Sequence, residues 1–174
     1  MQDIVNSLKA DHDQHRDLFA QLKATTPDDV ATRIALLARL DSSLRLHMRF
    51  EEDVLFPALR SHADKETRDQ MLEAYAEHEA ARSTLDELES AKPQDEMWQA
   101  WLKVLSEELE HHMKEEEEDL LPHATKLIDA DNLRVMAFEL ERWKSDAGEP
   151  SELAVGNEDE LEASAHRTQL VGLT

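Results

Sequence analysis

The chain has 174 residues, enough for one domain with a real core, and it contains three glycines, five prolines and no cysteine. So few turn-forming residues favour long helices over many short strands, and the lack of cysteine excludes disulfides and thiolate metal sites. A formal charge of −21 makes nucleic acid and membranes poor partners, and no apolar run approaches the roughly 20 residues that cross a bilayer. Because the N-terminus also lacks signal-peptide features, we expect a cytoplasmic protein.

The first two predicted helices each carry polar groups within an apolar stripe. The first runs from about residue 3 to 25, and its inward face at spacings of three and four comprises Ile4, Leu8, His12, His15, Phe19 and Leu22. After a break at residues 26–29, Asp28 or Asp29 is the expected N-cap of the second helix. That helix is expected to end near Pro57, with an inward face of Ile34, Leu37, Leu40, Leu44, His47, Glu51 and Leu55.

The next two predicted helices repeat this arrangement. A polar stretch over residues 60–65 precedes the third, whose inward face comprises Met71, Tyr75, His78, Leu85 and Leu88. A second break at residues 92–95 precedes the fourth, which is expected to stop at Pro122. Its inward face comprises Trp101, Leu105, His112, Glu116 and Leu120. The spacings predict an all-α fold, an up-down-up-down four-helix bundle over about residues 3–123.

The C-terminal part is predicted to add one helix and a tail. A helix over about residues 131–145 has an apolar side, so it packs across the bundle or contacts a protein partner. From residue 146 the composition becomes acidic and poorly periodic, which predicts a flexible tail over residues 146–174 that is a second candidate partner-binding segment. The predicted domain therefore covers residues 1–145.

An internal repeat relates the two predicted hairpins. His47-x-x-x-Glu51 followed by Pro57 matches His112-x-x-x-Glu116 followed by Pro122, each proline ten residues after its histidine. Asp11-His12-Asp13 with Arg16 likewise matches Glu77-His78-Glu79 with Arg82. Two hairpins with the same internal spacing predict an approximate two-fold axis, which would bring the four histidines to one level of the bundle.

The repeated residues are predicted to form a metal site. A histidine and a glutamate four residues apart lie on one helical face, so both reach the same point in the core. Six residues would then supply four imidazoles and two carboxylates, a set suited to two first-row metal ions: His12, His47, Glu51, His78, His112 and Glu116. A bound cation would also offset the cost of burying two carboxylates.

Several neighbouring residues leave alternatives open. His15 faces inward and is either an additional metal ligand or a hydrogen-bond partner of the ligands. Tyr75 is expected to belong to the apolar core, although its hydroxyl could reach the metal site. His111-x-x-x-Glu115 also fits the spacing, but the proline alignment favours His112. In the acidic run 115–119 we expect Glu116 alone to turn inward.

Four segments of the chain, residues 11–19, 47–57, 77–79 and 112–122, resemble the hemerythrin-like HHE cation-binding family. The resemblance covers about residues 4–123. It implies that His12, His47, His78 and His112 bind two non-haem iron ions. It further implies that Glu51 and Glu116 bridge these ions, together with an oxo, hydroxo or water bridge.

The resemblance implies a protein that binds or reacts with a small oxidant, namely dioxygen, peroxide or nitric oxide. Oxygen-carrying hemerythrins typically have a His-x-x-x-His pair on the third helix, whereas Ala74 and Arg82 flank His78 here at that distance. One iron would then be short of nitrogen ligands, with an open position unless His15, Tyr75 or water fills it. An open position favours turnover over reversible oxygen carriage. Catalase-like peroxide disproportionation and iron storage, sensing or delivery are the alternatives.

Overall fold

The computed structural model describes residues 3–148, and this part of the chain contains helices and no strand, which confirms the all-α class. Two π-helical turns, Glu51–Leu55 and Glu116–Leu120, interrupt the α-helices. Of the predicted tail, residues 149–174 lie outside the described part of the chain. The α-helices are α1 (Ile4–Lys23), α2 (Val30–Phe50), α3 (Phe56–Arg60), α4 (Lys65–Ser90), α5 (Glu96–Glu115), α6 (Leu121–Leu127) and α7 (Ala130–Ala147).

Of the described residues, 3–137 belong to one compact unit and 138–148 belong to a second. Helix α7, which covers the predicted extra helix, begins in the first unit and continues into the second. None of the helices within residues 3–148 combines the length and apolar character that crossing a membrane requires.

The first unit is a helical bundle. Helix α1 packs on α2 and α4 packs on α5, and the two hairpins meet through contacts of α1 with α5 and of α2 with α4. The apolar core towards the α1–α2 and α4–α5 loops consists of Leu18, Phe19, Leu22, Leu36, Leu37, Leu40, Leu44, Met48, Ala81, Leu85, Leu88, Trp98, Leu102, Leu105, Leu109 and Met113. A second buried set at the other ends of these helices includes Ile4, Leu8, Leu55, Phe56, Leu59, Leu120, Leu121 and Ala124. The polar residues of the predicted site lie where these two sets meet.

Local capping explains where α1 and α4 begin. The Asp3 carboxylate accepts a hydrogen bond from the Asn6 N–H at 3.0 Å, and Asp64 accepts one from the Thr67 N–H at 2.9 Å. Each bond satisfies a backbone donor that the first helical turn leaves unpaired. Asp29 is the N-cap residue of α2, but its carboxylate instead accepts from Thr26.

The two prolines were wrongly predicted to end helices, which in fact continue past them to Arg60 and Leu127. A proline lacks an N–H and its ring clashes with the carbonyl four residues earlier in a regular α-helix. Directly before Pro57, the Phe56 N–H donates to the Glu51 carbonyl, five residues back, and the same widened turn precedes Pro122. The π turn therefore accommodates the proline and begins in each hairpin at the candidate bridging glutamate.

Two residues of the predicted inward faces point elsewhere. Ile34 of α2 is 55% exposed and Tyr75 of α4 is 37% exposed, so neither belongs to the core. The face of α2 rotates at its start because Arg33, rather than Ile34, is buried there. The Tyr75 hydroxyl donates to the Glu52 carbonyl at 3.1 Å and is therefore engaged outside the predicted site.

Arg33 ties the two inter-helix loops together at one end of the bundle. It is 1% exposed, its Nε donates to Thr25 Oγ1 at 2.8 Å, and its Nη2 donates to the Thr25 carbonyl at 3.1 Å. The guanidinium also donates to the Pro93 carbonyl and to Gln99 Oε1, and it lies 4.3 Å from the centre of the Trp98 ring. A buried charge with this many partners is well compensated.

We expect Arg33→Ala to lower the free energy of unfolding by about 3 kcal/mol, because it leaves a cavity and several buried acceptors without a donor. Urea unfolding of the purified variant measures the loss. Arg39→Ala, which removes an exposed arginine from the same helix, is the matched control and should change stability little. A loss below about 1 kcal/mol for Arg33→Ala would show that the loops are held together by other contacts.

Candidate metal centre

All six predicted site residues converge in the middle of the bundle. The four histidines are at most 3% exposed, and Glu51 and Glu116 are 0% and 2% exposed. They form two overlapping groups, within each of which the ligand atoms all lie within 4.8 Å of one another. The first group is His12, His47, Glu51 and Glu116, and the second is Glu51, His78, His112 and Glu116. That these residues bind metal stays a prediction.

The histidines pair within each hairpin. Nε2 of His12 lies 3.1 Å from Nε2 of His47, and Nε2 of His78 lies 3.0 Å from Nε2 of His112. The two pairs correspond under the sequence repeat, as the spacing predicted. In each pair, two nitrogen atoms that can serve as ligands point at one another.

The two glutamates each reach both histidine pairs. Glu51 Oε1 lies 3.3 Å from His47 Nε2, and Glu51 Oε2 lies 3.4 Å from His78 Nε2. Glu116 Oε2 lies 3.3 Å from His12 Nε2 and 3.6 Å from His112 Nε2. A carboxylate between two sets of nitrogen ligands is placed to bridge two cations. The two sets have two histidines each.

A carboxylate lies on the outer nitrogen of every histidine. His12 Nδ1 is 2.8 Å from Glu117, His78 Nδ1 is 2.8 Å from Glu52 and His112 Nδ1 is 2.9 Å from Glu77. His47 Nδ1 is 3.4 Å from Asp11. Each Nδ1–H donates to a carboxylate, so Nε2 of each ring points inward, where it can bind a metal once it has no proton.

This outer set was missed in the sequence. Glu52 and Glu117 each follow a candidate bridging glutamate, and Asp11 and Glu77 each precede a histidine. The expectation that Glu116 alone turns inward from the acidic run is wrong, because Glu117 contacts His12. The signal was present in the repeat, since both copies carry an acidic residue at both positions.

Two arginines fix the carboxylates that hold the histidines of α1 and α4. Arg16 Nη1 donates to Glu117 Oε1 at 2.9 Å, and Arg82 Nη2 donates to Glu52 Oε1. Burial lowers the pKa of Arg82, but its bonds to Glu52 and Glu79 outweigh this and leave the pKa raised. Both arginines are therefore charged next to these carboxylates.

His15 lies next to the site but belongs to neither group. Its Nε2 is 2.9 Å from the Ser43 hydroxyl, and its ring meets the His47 ring edge-on at a centroid distance of 5.2 Å. Burial is the main cause that lowers its pKa well below the usual value, with the neighbouring His47 adding to the effect. A neutral His15 therefore packs against a ligand candidate. His111 is exposed and Tyr75 does not reach the groups, so the choice of His112 agrees with the geometry.

The donor set fits metal ions. Both oxygens of Glu51 and both oxygens of Glu116 are buried without a hydrogen-bond partner among residues 3–148. Such carboxylates are costly unless a cation offsets their burial. Facing Nε2 lone pairs likewise repel one another unless a proton or a metal ion lies between them. Nitrogen and oxygen ligands of this kind suit iron and its first-row neighbours.

The comparisons with known proteins agree with this reading. A family model described as the hemerythrin HHE cation binding domain matches residues 3–124, the greater part of the chain. No curated protein and no solved structure gives a significant match. The matched segment contains every candidate ligand and all four carboxylates on the outer nitrogens. With its candidate metal ligands gathered in one buried cluster, the chain belongs to the hemerythrin HHE cation-binding family.

Proposed function

We propose that the chain holds two non-haem iron ions between its helices and that this centre binds or reacts with dioxygen, peroxide or nitric oxide. In this proposal His12 and His47 bind one ion, His78 and His112 bind the other, and Glu51 and Glu116 bridge them. The observation that carries the proposal is that each glutamate reaches both histidine pairs. An oxo, hydroxo or water bridge would complete the centre.

The surroundings of the centre support a small reactant. A cavity of about 120 Å³ opens between α4 and α5 onto His112 and Glu116. This volume has room for a few waters or a diatomic molecule and not for a bulky organic substrate. Bound iron would supply the change of oxidation state that an oxidant needs, while the protein holds the Nδ1 protons and excludes bulk water from the centre.

Further parts of the proposal concern the whole chain. The pairing of α1 with α2 and of α4 with α5 supports an up-down-up-down order of the four long helices. We propose that residues 1–145 form the domain and that the protein is cytoplasmic. Val135 and Phe138 expose apolar side chains on α7, which supports a protein partner at this helix. The acidic lining of the cavity, with Glu73 and Asp119, favours iron storage or delivery as the second candidate function.

The direct test is iron content with the response to hydrogen peroxide. We expect about two iron ions per chain in protein loaded under anaerobic conditions, and a change in visible absorption when peroxide is added. His47→Ala/His112→Ala removes one nitrogen ligand from each ion and should abolish both results. His62→Ala, which removes an exposed histidine outside the groups, is the control. Iron without any response to peroxide would favour storage or delivery, and a folded wild type that takes up no iron would refute the centre.

A further inference from the structure

A third group of metal-binding side chains lies on the surface near the centre. It consists of Glu77 on α4 with His111 and Glu115 on α5, and one ligand atom from each lies within 4.8 Å of the others. His111 Nε2 is 3.2 Å from Glu115 Oε1. The His111 side chain is 64% exposed and that of Glu115 is 44% exposed, so a cation in solution can reach the group directly.

The cavity between α4 and α5 joins this outer group to the buried centre. Glu77 and Glu115 line it together with the exposed acidic residues Glu73 and Asp119, and the buried Glu116 lines it too. Glu116 is 2% exposed, and neither of its carboxylate oxygens has a hydrogen-bond partner within residues 3–148. An ion in the cavity would therefore meet several carboxylates, one of which is the Glu116 ligand of the candidate centre.

Glu77 connects the two groups chemically. Its Oε2 lies 2.9 Å from His112 Nδ1. Its second oxygen is left to bind a cation together with His111 and Glu115. One imidazole and two carboxylates are a common ligand set for divalent first-row metals.

The repeat shows that the fold does not require this group. Under the correspondence of His112 with His47, the positions of His111 and Glu115 match Leu46 and Phe50 in the other hairpin. Phe50 is fully buried. The two hairpins share the ligands of the centre but differ at these two positions, so the outer group is a feature of one side of the bundle only.

We propose that Glu77, His111 and Glu115 form an outer site for a divalent cation, and that cations pass from it through the cavity to Glu116. The outer site stands on its own geometry, whereas the transfer rests on the proposed function. The carboxylates along the cavity raise the local concentration of cations, which is how clefts of one charge accelerate uptake.

Co²⁺ is the probe, since its visible absorption reports uptake and dialysis counts the ions bound. We expect the metal-free wild type to bind a third, weaker Co²⁺ per chain in addition to two in the centre. His111→Ala/Glu115→Gln should lose this third ion, keep the other two and take them up about tenfold more slowly. His62→Ala/Glu66→Gln, which removes an exposed histidine and glutamate of the same spacing, should behave as wild type.

A variant without the centre separates the two proposals. His47→Ala/His112→Ala should still bind the one weak ion at the outer site. If the wild type binds two ions and no third, the outer site is refuted while the centre stands. If it binds only the weak ion, the centre fails and the outer site stands. If the His111→Ala/Glu115→Gln variant loses the third ion but fills the centre at the wild-type rate, the transfer through the cavity is refuted.

Discussion

Glu51→Gln/Glu116→Gln should abolish the thermal stabilisation that Fe²⁺ gives to the metal-free protein. A ligand at one hundred times its dissociation constant stabilises the folded state by about 2.7 kcal/mol per site, so two sites give about 5 kcal/mol. For a chain of this size that corresponds to a rise in melting temperature of roughly 10–20 °C. Glutamine keeps the shape of each side chain but removes the charge that reaches both histidine pairs. Calorimetry under anaerobic conditions, with and without Fe²⁺, measures the effect.

The control for this experiment is Asp53→Asn/Glu118→Gln. These residues lie two positions after the candidate bridging glutamates, and their side chains are 53% and 64% exposed. The control removes the same formal charge from the same two π turns, so a general electrostatic effect would appear equally in both variants. A normal rise in melting temperature for Glu51→Gln/Glu116→Gln would show that neither glutamate is needed for metal binding.

The six residues of the candidate centre could be predicted because the second half of the bundle sequence repeats the histidine and glutamate positions of the first half. A single His-x-x-x-Glu is uninformative in a chain with 40 acidic residues. Its repetition with a proline at the same distance selected His47 and His112, and the structure brings both into the buried groups. The histidines of α1 and α4 followed from helical spacing, since they lie on apolar faces, and from the match of residues 11–16 with residues 77–82.

The carboxylates on the outer nitrogens could not be predicted from helical spacing. Glu52 and Glu117 lie beside the inward-facing residue of their own helix, where helical periodicity places a side chain about 100° away. They reach the histidines because a neighbouring helix presents His78 to Glu52 and His12 to Glu117. Such contacts depend on how helices pack, and a pattern within one helix does not contain that information. The π turns were missed for a related reason, since a proline was read as a helix end.

Metal-free protein should lose stability as the pH rises from 6.5 to 9. Burial lowers the pKa of His112, but Glu116, Glu77 and Glu51 outweigh it and raise the pKa to about 9. His47 shifts in the same direction, because Glu51 and Asp11 outweigh its burial and raise its pKa well above the usual value. A histidine whose pKa is higher in the folded state stabilises it below the unfolded pKa of 6.5 and loses this contribution as the pH rises. For His112 the loss is about 3 kcal/mol.

The shifted pKa values of Glu51 and His15 affect stability below pH 6.5, outside the range from 6.5 to 9. Glu51 has a lowered pKa, because the neighbouring histidines outweigh its burial, so its contribution is lost only in acid, below its usual value of 4.5. His15 has a lowered pKa, because burial disfavours its charged form, so it destabilises the folded state as the pH falls below 6.5. The ion pair of Glu51 with His47 is lost both in acid and in base, and metal-free protein should therefore be most stable near pH 6.5.

Urea unfolding of chelator-treated protein across this pH range measures the loss, and a matched pair of variants assigns it. Glu77→Gln removes one of the carboxylates that raise the pKa of His112, so the loss should become smaller and occur at lower pH. Glu79→Gln, whose side chain is 78% exposed on the same helix, should leave the profile as in the wild type. A flat profile for the wild type would mean that the buried histidines are neutral in the metal-free state. Metal binding should show the opposite dependence, because each ligand nitrogen must lose its proton, so affinity for Fe²⁺ should rise over the same pH range in which the metal-free protein weakens.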